Sequence, residues 1–206
     1  MSSPITSAEV WRAIDHQLFA VLGMATAHNE ARTVGVVYVV HDHHLFVGTD
    51  KASWKVRHIA ANPQISMTIP IAKRIPFLPW IKIPAATVTF SATARVLAPS
   101  EAPAAVMHAL FRGMAGVEEL MRDACVIDVA PHGEFVTYGV GVTLLEMRDR
   151  AKARGRAPVD PEGIGAGASR PRPEVPAPVH MRVHRSAMST HRELYRVYRH
   201  RADDDR

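Results

Sequence analysis

The chain has very little cysteine: Cys125 is the single thiol among 206 residues. One cysteine excludes an intramolecular disulfide and cannot by itself build a thiolate metal site. Because Cys125 lies in an alternating apolar stretch, we predict that it is a packed core residue.

Long hydrophobic runs are also missing. No stretch approaches the roughly 18 apolar residues of a membrane-spanning helix, and the start, MSSPITSAEVWRAIDHQ, lacks the basic and apolar regions of a signal peptide. We therefore expect a folded, cytoplasmic protein.

Several motifs of common enzyme classes do not occur. The sequence has no Ser-His-Asp order, no G-x-S-x-G elbow, no Walker loop and no Rossmann glycine fingerprint. At the level of motifs, this argues against the commonest hydrolases and nucleotide-binding enzymes.

Net charge of one sign is confined to the end of the chain. The whole chain carries a formal charge of +5, but residues 1–150 hold 13 Lys and Arg against 13 Asp and Glu, so the excess lies in residues 151–206. The folded part therefore has no bias toward polyanions, and nucleic acid is not a predicted partner.

The hydrophobic pattern fails from about residue 149, and six prolines and four glycines follow Arg150. This composition is typical of a chain that cannot bury a core. We predict a domain over residues 1–148 and a mostly disordered, Pro- and Arg-rich tail over residues 149–206. A weak anionic partner for a short basic helix at 192–201 remains an alternative to a solvated tail.

Apolar periodicity predicts a protein made mainly of strands with some helices. Strands are predicted at 19–27, 33–41, 45–49, 64–69, 87–96, 124–130 and 134–142, the last two forming a pair around Pro131-His132-Gly133. Helices are predicted from the cap Ser7 to about Leu18, from Ser53 to Asn62, and from Ser100 to about Arg122.

The segment 70–84, PIAKRIPFLPWIKIP, combines four prolines with Phe77, Trp80 and three cations. This composition favours a long loop with an apolar surface. Three roles are open: a lid over a pocket, a dimer contact, or a surface that touches a membrane.

A candidate phosphate site lies where the third strand passes into the second helix. Thr49 and Ser53 offer hydroxyl donors, the helix start offers unpaired N–H groups, and Lys55 offers a cation in the first turn. An acid is the usual residue at that position, so a lysine suggests a bound anion. The alternative is a capped surface helix with a solvated lysine.

Twelve histidines, with His41, His43 and His44 close together, raise the possibility of a metal or haem site. Adjacent strand residues point to opposite faces, and no second group of ligands with plausible spacing is evident. His58 lies on the Lys55 side of the second helix. We predict no metal site.

The strand pair around 34–47, the pattern T-x-x-x-S-x-K at 49–55, and Asn62-Pro63 before the next strand resemble the pyridoxamine 5′-phosphate oxidase-like family of flavin-binding proteins. The resemblance covers residues 8–145 and implies a six-stranded antiparallel split β-barrel of the α+β class. It also implies a homodimer, with the flavin phosphate near Thr49, Ser53 and Lys55 and the ring against the second strand. The cofactor-binding residues expected are Val36, Tyr38, Thr49, Lys51, Ser53, Trp54 and Lys55.

The pattern departs from that of the vitamin-forming oxidases. Their second strand carries an arginine and a lysine toward the phosphate, whereas this one has Thr33 and apolar residues, and Trp54 stands where an arginine precedes the signature lysine. The similarity is greater to uncharacterised actinobacterial-type members, some of which use a deazaflavin coenzyme. The resemblance thus implies an oxidoreductase dependent on FMN or deazaflavin, with substrate and catalytic residues unknown. The alternative is a non-catalytic split barrel that binds flavin or haem.

Overall fold

The computed structural model describes residues 5–73, 84–111 and 121–160, all within a compact unit that extends from Met1 to Ala168. The strands are β1 (Phe19–Ala25), β2 (Ala31–Val37), β3 (Val39–His41), β4 (His44–Asp50), β5 (Gln64–Ile71), β6 (Ala86–Leu97), β7 (Ala124–Tyr138) and β8 (Arg154–Pro158). The α-helices are α1 (Ser7–Asp15), α2 (Trp54–Ala61), α3 (Ala104–Phe111) and α4 (Arg150–Ala153). Two 3₁₀ turns lie at Pro99–Glu101 and Glu146–Arg148.

The strands form one antiparallel sheet in the order β2-β1-β5-β6-β7-β4-β3, with β8 paired to β7. The sheet curls into a half-barrel with flanking helices. This confirms the predicted α+β split barrel, although the sheet has eight strands rather than six.

The two strands predicted at 124–130 and 134–142 are one long strand, β7. Pro131-His132-Gly133 indicated a turn, but the chain continues through it because a bulge takes up the extra residues. Ser91 on β6 pairs with His132, whereas Thr89 pairs with Val136, and Gly133 has a φ of +74°. A glycine tolerates this left-handed geometry without a steric penalty.

The predicted strand at 33–41 is interrupted at Tyr38, which separates β2 from β3. A two-residue hairpin turn joins β3 to β4, and its residues, Asp42 and His43, have φ values of 47° and 58°. Both are left-handed, as the tight turns that match strand twist require.

The boundary predicted after residue 148 falls inside the folded unit. Residues 154–158 form β8, which pairs with β7 from Glu134 to Tyr138, and both Ala157 and Val159 are buried. The region was assigned to the tail because its apolar side chains are few and small. Residues 161–206, including the predicted basic helix, lie outside the described part of the chain.

The N-cap residue of helix α1 lies one position before the predicted cap, Ser7. Thr6 is the N-cap and forms a reciprocal capping box with Glu9. Ser7 lies inside the helix, and its hydroxyl donates to the carbonyl of Val159 at 2.9 Å. The helix ends at Asp15 rather than near Leu18.

The second predicted helix agrees with α2, whose caps are Ser53 and Asn62. The third, predicted from Ser100 to about Arg122, begins instead with a 3₁₀ turn and continues as α3 from Ala104 to Phe111. Residues 112–120 lie outside the described ranges.

The core occupies both faces of the central strands. The larger cluster fills the concave side, where α1, α2 and most strands meet; it includes Trp11, Tyr38, Met67 and Phe135. The smaller cluster packs α3 against the opposite face of β4 and β7 around Phe46, Val106 and Val126. Alternate residues of β4 therefore belong to two different environments.

Most of the predicted apolar loop at 70–84 belongs to residues 74–83, which the structure does not describe. Its flanks are placed: Pro70 and Ile71 end β5, and Ala86 begins β6. Within the described ranges, no helix is long and apolar enough to cross a membrane.

Candidate functional site

A tight turn joins the end of β4 to the start of α2. Asp50 organises this turn, because its Oδ1 accepts from the N–H of Ala52 at 2.6 Å and its carbonyl accepts from the N–H of Ser53 at 3.1 Å. Ser53 then takes an extended conformation with φ −63° and ψ 143° and immediately precedes the helix. The turn thereby brings the side chains of Thr49 and Ser53 next to each other.

Two hydroxyls and two N–H groups lie together at this point. The hydroxyl of Ser53 makes no capping bond to the helix, and Thr49 Oγ1 donates to it over a long 3.4 Å. The N–H groups of Trp54 and Lys55 have no acceptor among the described residues. Two hydroxyls and two N–H groups at a helix start form a donor set suited to an anion.

Lys55 supplies the positive charge of this group. Its side chain is half-buried, and burial lowers the pKa of its ammonium, while the neighbouring Cys125 and Asp50 raise that pKa. Cys125 is the cross-strand partner of Thr49 and is 2% exposed, as predicted for a packed core thiol. Burial raises the pKa of the Cys125 thiol, which keeps it protonated.

The other two residues predicted near the phosphate have different surroundings. Lys51 is exposed, and its Nζ donates to the carbonyl of Arg122 at 2.7 Å. Its charge is therefore directed at the backbone just before β7. Trp54 is half-buried against the main core, and its ring meets His58 edge-on at 5.5 Å. Of the two, only Trp54 lies directly within the helix start.

Val36 and Tyr38, predicted to face the cofactor ring, lie in the core instead of with this donor set. They are 4% and 1% exposed. The Tyr38 hydroxyl donates to the carbonyl of Ile14 at 2.7 Å, which ties β2 to the end of α1. Burial strongly raises the pKa of this phenol. The family resemblance implied a cofactor ring against the second strand, whereas both of these side chains are part of the core.

Replacing Tyr38 with phenylalanine tests this structural role. The change removes one buried hydrogen bond, while the carbonyl of Ile14 still accepts from the N–H of Gln17 at 3.0 Å, so we expect the free energy of unfolding to fall by about 0.5–1.5 kcal/mol. Urea denaturation followed by circular dichroism measures the loss. Unchanged stability would show that the hydroxyl contributes nothing to the α1 contact.

A second polar group, which sequence reasoning missed, lies on the opposite face of β4. Asp128 is 3% exposed, and its two oxygens accept from His44 Nδ1 at 2.6 Å and from Arg95 at 2.7 Å. The only signal in the sequence is an acid within the apolar run around Val126–Val129, since its partners lie 84 and 33 residues away.

The three clustered histidines are thus separated by the structure. His41 and His44 are cross-strand partners on one face, whereas His43 stacks on Trp11 with ring centroids 4.8 Å apart. In the ranges the structure describes, no three His, Cys, Asp or Glu side chains converge as a metal site.

An open groove of about 680 Å³ lies on the sheet where β6, β7 and β8 run side by side. It contains none of the predicted site residues. Hydroxyl and guanidinium side chains share its lining, which consists of Thr87, Thr89, Val136, Thr137, Tyr138, Arg154, Gly155 and Arg156.

No family model matches the sequence, and no curated protein is similar to it. Solved structures do match. A haem-binding protein from Mycobacterium smegmatis superposes with a TM-score of 0.53 at 16% identity, over 69% of this chain and 57% of that one. The haem storage protein HutZ from Vibrio cholerae gives 0.50 at 16% identity, over 65% and 95% of the two chains. An F420 reductase gives 0.44 at 16% identity, over 60% and 93%. At such identities, the first two matches establish the fold alone.

Proposed function

We propose that this chain, which has the split-barrel fold of the pyridoxamine 5′-phosphate oxidase-like proteins, is an oxidoreductase that depends on FMN or a deazaflavin coenzyme. The observation that supports the proposal is the donor set at the start of α2. Thr49 and Ser53 meet there beside two N–H groups that have no acceptor among the described residues, and Lys55 lies in the first turn of the helix. Both coenzymes carry a phosphate that such donors would hold.

The bound coenzyme would supply the hydride transfer, and the protein would supply binding and orientation. Lys55 would neutralise one negative charge of the phosphate, and the Ser53 hydroxyl and the N–H groups would fix its oxygens. Trp54, next to these donors and half-buried, would limit water at the anion. Each of these contacts strengthens where solvent is excluded.

The charge balance of the site favours a phosphodiester, as in the deazaflavin coenzyme, over the nearly dianionic monoester of FMN. Lys55 is the half-buried cation of this turn, Lys51 is engaged with a carbonyl, and Asp50 adds a negative charge nearby. A second negative charge would therefore lack a close partner.

A second copy of the chain is proposed to cover the outward face of the sheet. Phe19 and Val37 are cross-strand neighbours on β1 and β2, and with Val136 on β7 they are 36–42% exposed. Phe19 and Val37 adjoin, Val136 lies three strands from β1, and exposed apolar side chains on a sheet favour burial by a partner. Light scattering of the full chain would read twice its monomer mass of 22.6 kDa.

The alternative is a non-catalytic protein that binds flavin or haem. Two of the structurally similar proteins are named for haem binding or storage. Titration of the full-length chain with FMN, with deazaflavin coenzyme and with hemin tests both possibilities. Saturable binding of a flavin that is then reduced and reoxidised by the protein supports the oxidoreductase, and binding without turnover supports the alternative. No flavin binding would overturn the proposal.

The pH dependence of binding should reveal the role of Lys55. A phosphate next to this lysine favours its charged form and so raises its pKa. As pH rises through the pKa of the free protein, which burial has lowered, binding must take up a proton, and affinity falls. In the wild type we expect this fall to begin in a pH range below the one in which an ordinary lysine titrates.

The variant Lys55→Arg is the matched control, because a guanidinium stays charged throughout this range. Its coenzyme affinity should be flat over the same pH values. Parallel curves for the two proteins would show that Lys55 does not contact the bound anion.

A further inference from the structure

The open groove on β6, β7 and β8 has a regular lining. Two rows of side chains cross it, because cross-strand partners share one face of the sheet. Thr87, Tyr138 and Arg154 form the first row, and Thr89, Val136 and Arg156 form the second. Each row therefore has a hydroxyl on β6, an aromatic or apolar side chain on β7 and a guanidinium on β8.

The two guanidiniums of β8 differ in their surroundings. Arg156 bonds the carboxylate of Glu134 at 2.8 Å, so its charge is already balanced. Arg154 is exposed, and no carboxylate in the part of the chain that the structure describes pairs with it. The groove therefore keeps one unbalanced positive charge. A guanidinium presents five N–H donors in a planar fork that matches a carboxylate.

Hydroxyl donors line the opposite wall. Thr89 shares a hydrogen bond of 3.1 Å with Thr68 on β5, whereas no described residue bonds the hydroxyl of Thr87. Neighbouring strands are about 4.8 Å apart, so the backbones at Thr87 and Arg154 are separated by about 10 Å. One small ligand can thus receive bonds from both walls.

The floor of the groove, on β7, is apolar. Val136 is 42% exposed there. The hydroxyl of Tyr138 donates to the carbonyl of Met147 at 3.4 Å, so this residue offers its ring rather than a donor. An apolar floor between polar walls suits a ligand that has an apolar body and one anionic group.

The charge of the lining decides the class of anion. One unbalanced guanidinium matches the single negative charge of a carboxylate, whereas a phosphate monoester carries nearly two at neutral pH. Glu134, beside Arg156, would repel the second charge. The volume of about 680 Å³ lies in the range of small-molecule sites.

We propose that this groove binds a small organic carboxylate. Arg154 holds the carboxylate through two parallel hydrogen bonds, Thr87 donates a third, and Val136 packs against the apolar body. A second copy over the outward face, as proposed above, would close the open side of the groove.

The groove is separate from the coenzyme site at the start of α2. Val136 and Cys125, which is the cross-strand partner of Thr49, lie in opposite halves of β7, about 35 Å apart along the strand. Either proposal can therefore fail while the other holds.

Calorimetric titration of the full-length chain with acetate, hexanoate and benzoate, in a buffer free of other carboxylates, tests the proposal. We expect one saturable site, with hexanoate and benzoate bound more tightly than acetate because their bodies cover the apolar floor. Benzamide has the shape of benzoate without its charge and should bind at least tenfold more weakly. An equal concentration of inorganic phosphate should not displace benzoate.

Variants of the lining locate the site. Arg154→Ala should weaken benzoate binding about tenfold or more, and Arg154→Lys should fall between that variant and the wild type, since an ammonium keeps the charge and loses the fork. Thr87→Val keeps the shape of the side chain and should weaken binding about two- to tenfold. The matched control is Arg32→Ala, which removes an exposed arginine from β2 and should leave the titration unchanged.

Four results would overturn the proposal: no saturable binding of any of the three acids, equal benzoate affinities for Arg154→Ala and the wild type, benzamide bound as tightly as benzoate, or displacement of benzoate by phosphate. Urea unfolding of Arg154→Ala should match the wild type, so that a loss of binding is not a loss of folding. Lys55→Ala should bind benzoate as the wild type does. Loss of benzoate binding in that variant would place the acid at the α2 site and contradict the assignment to the groove.

Discussion

A chain that ends after Arg148 is expected to be unfolded, whereas a chain that ends after Ala168 is expected to fold. The shorter chain lacks β8, which pairs with the second half of β7. It also lacks the carbonyl of Ala153, which accepts from the N–H of Gly139 at 2.7 Å. The longer chain keeps the whole compact unit that extends to Ala168.

The loss of folding free energy can be estimated from the hydrogen bonds and the apolar burial that β8 and Val159 provide. The carbonyl of Val159 accepts from the hydroxyl of Ser7 at 2.9 Å and from the indole N–H of Trp11 at 3.3 Å. Each buried donor left unpaired costs about 1–3 kcal/mol. Burial of Ala157 and Val159 is lost as well, so the total is on the order of 5 kcal/mol, comparable to the whole stability of many domains.

Circular dichroism and urea unfolding of the two truncated chains measure the effect. The chain of 168 residues should unfold cooperatively, and the chain of 148 residues should show little sheet signal and no transition. If both unfold at the same urea concentration, β8 contributes nothing to the fold, and the sequence-based boundary at 148 is the correct one.

The sequence did not reveal β8 because its stabilising contacts are not its own large side chains. Arg154 and Arg156 are exposed, Ala157 is small, and Gly155 lies so close to β7 that a Cβ there would come within 2.7 Å of the Thr137 hydroxyl. Such a strand has no apolar alternation to detect. Its position follows from backbone pairing with β7, which only the tertiary structure shows.

The strands with strong alternation were predictable for the opposite reason. Residues of β6 are buried at every second position from Ala86 to Ala94, and β5 repeats the same pattern. The bulge in β7 was not predictable, because Pro131 and Gly133 are also what a turn requires. The choice between turn and bulge depends on whether β6 continues alongside.

The two groups of polar side chains, one at the start of α2 and one around Asp128, also differ in how far the sequence could predict them. Thr49, Ser53 and Lys55 lie within seven residues, so a strand, a turn and a helix start were enough to place them together. His44, Arg95 and Asp128 come from three separate strands, and their meeting depends on the registers of β4 and β6 with β7. Local sequence can predict the first kind of site and not the second.

The double variant Ser53→Ala/Lys55→Ala is expected to weaken coenzyme binding by about 2–4 kcal/mol, which is roughly 30- to 900-fold in dissociation constant. The lysine contributes a charge-assisted bond, and the serine contributes a hydroxyl that the helix does not use. Fluorescence quenching of FMN or deazaflavin by the full-length chain measures both dissociation constants. The two single variants complete a double-mutant cycle. Their effects on the binding free energy should not be additive, because both groups contact one phosphate.

The matched control is Ser91→Ala/Lys152→Ala, which removes the same two functional groups at exposed positions on β6 and α4. Its affinity should equal that of the wild type. Equal affinities for all three proteins would place the phosphate elsewhere.

Stability should change in the direction opposite to binding. Burial lowers the pKa of Lys55, which means that the folded protein disfavours its charge relative to the unfolded chain. Below that pKa, removal of the ammonium relieves this cost, so Lys55→Ala should unfold at an equal or higher urea concentration near neutral pH while it binds the coenzyme less tightly. A lysine retained only for structure would show the reverse, lower stability with unchanged binding. The two measurements on one variant therefore decide whether Lys55 serves the fold or the ligand.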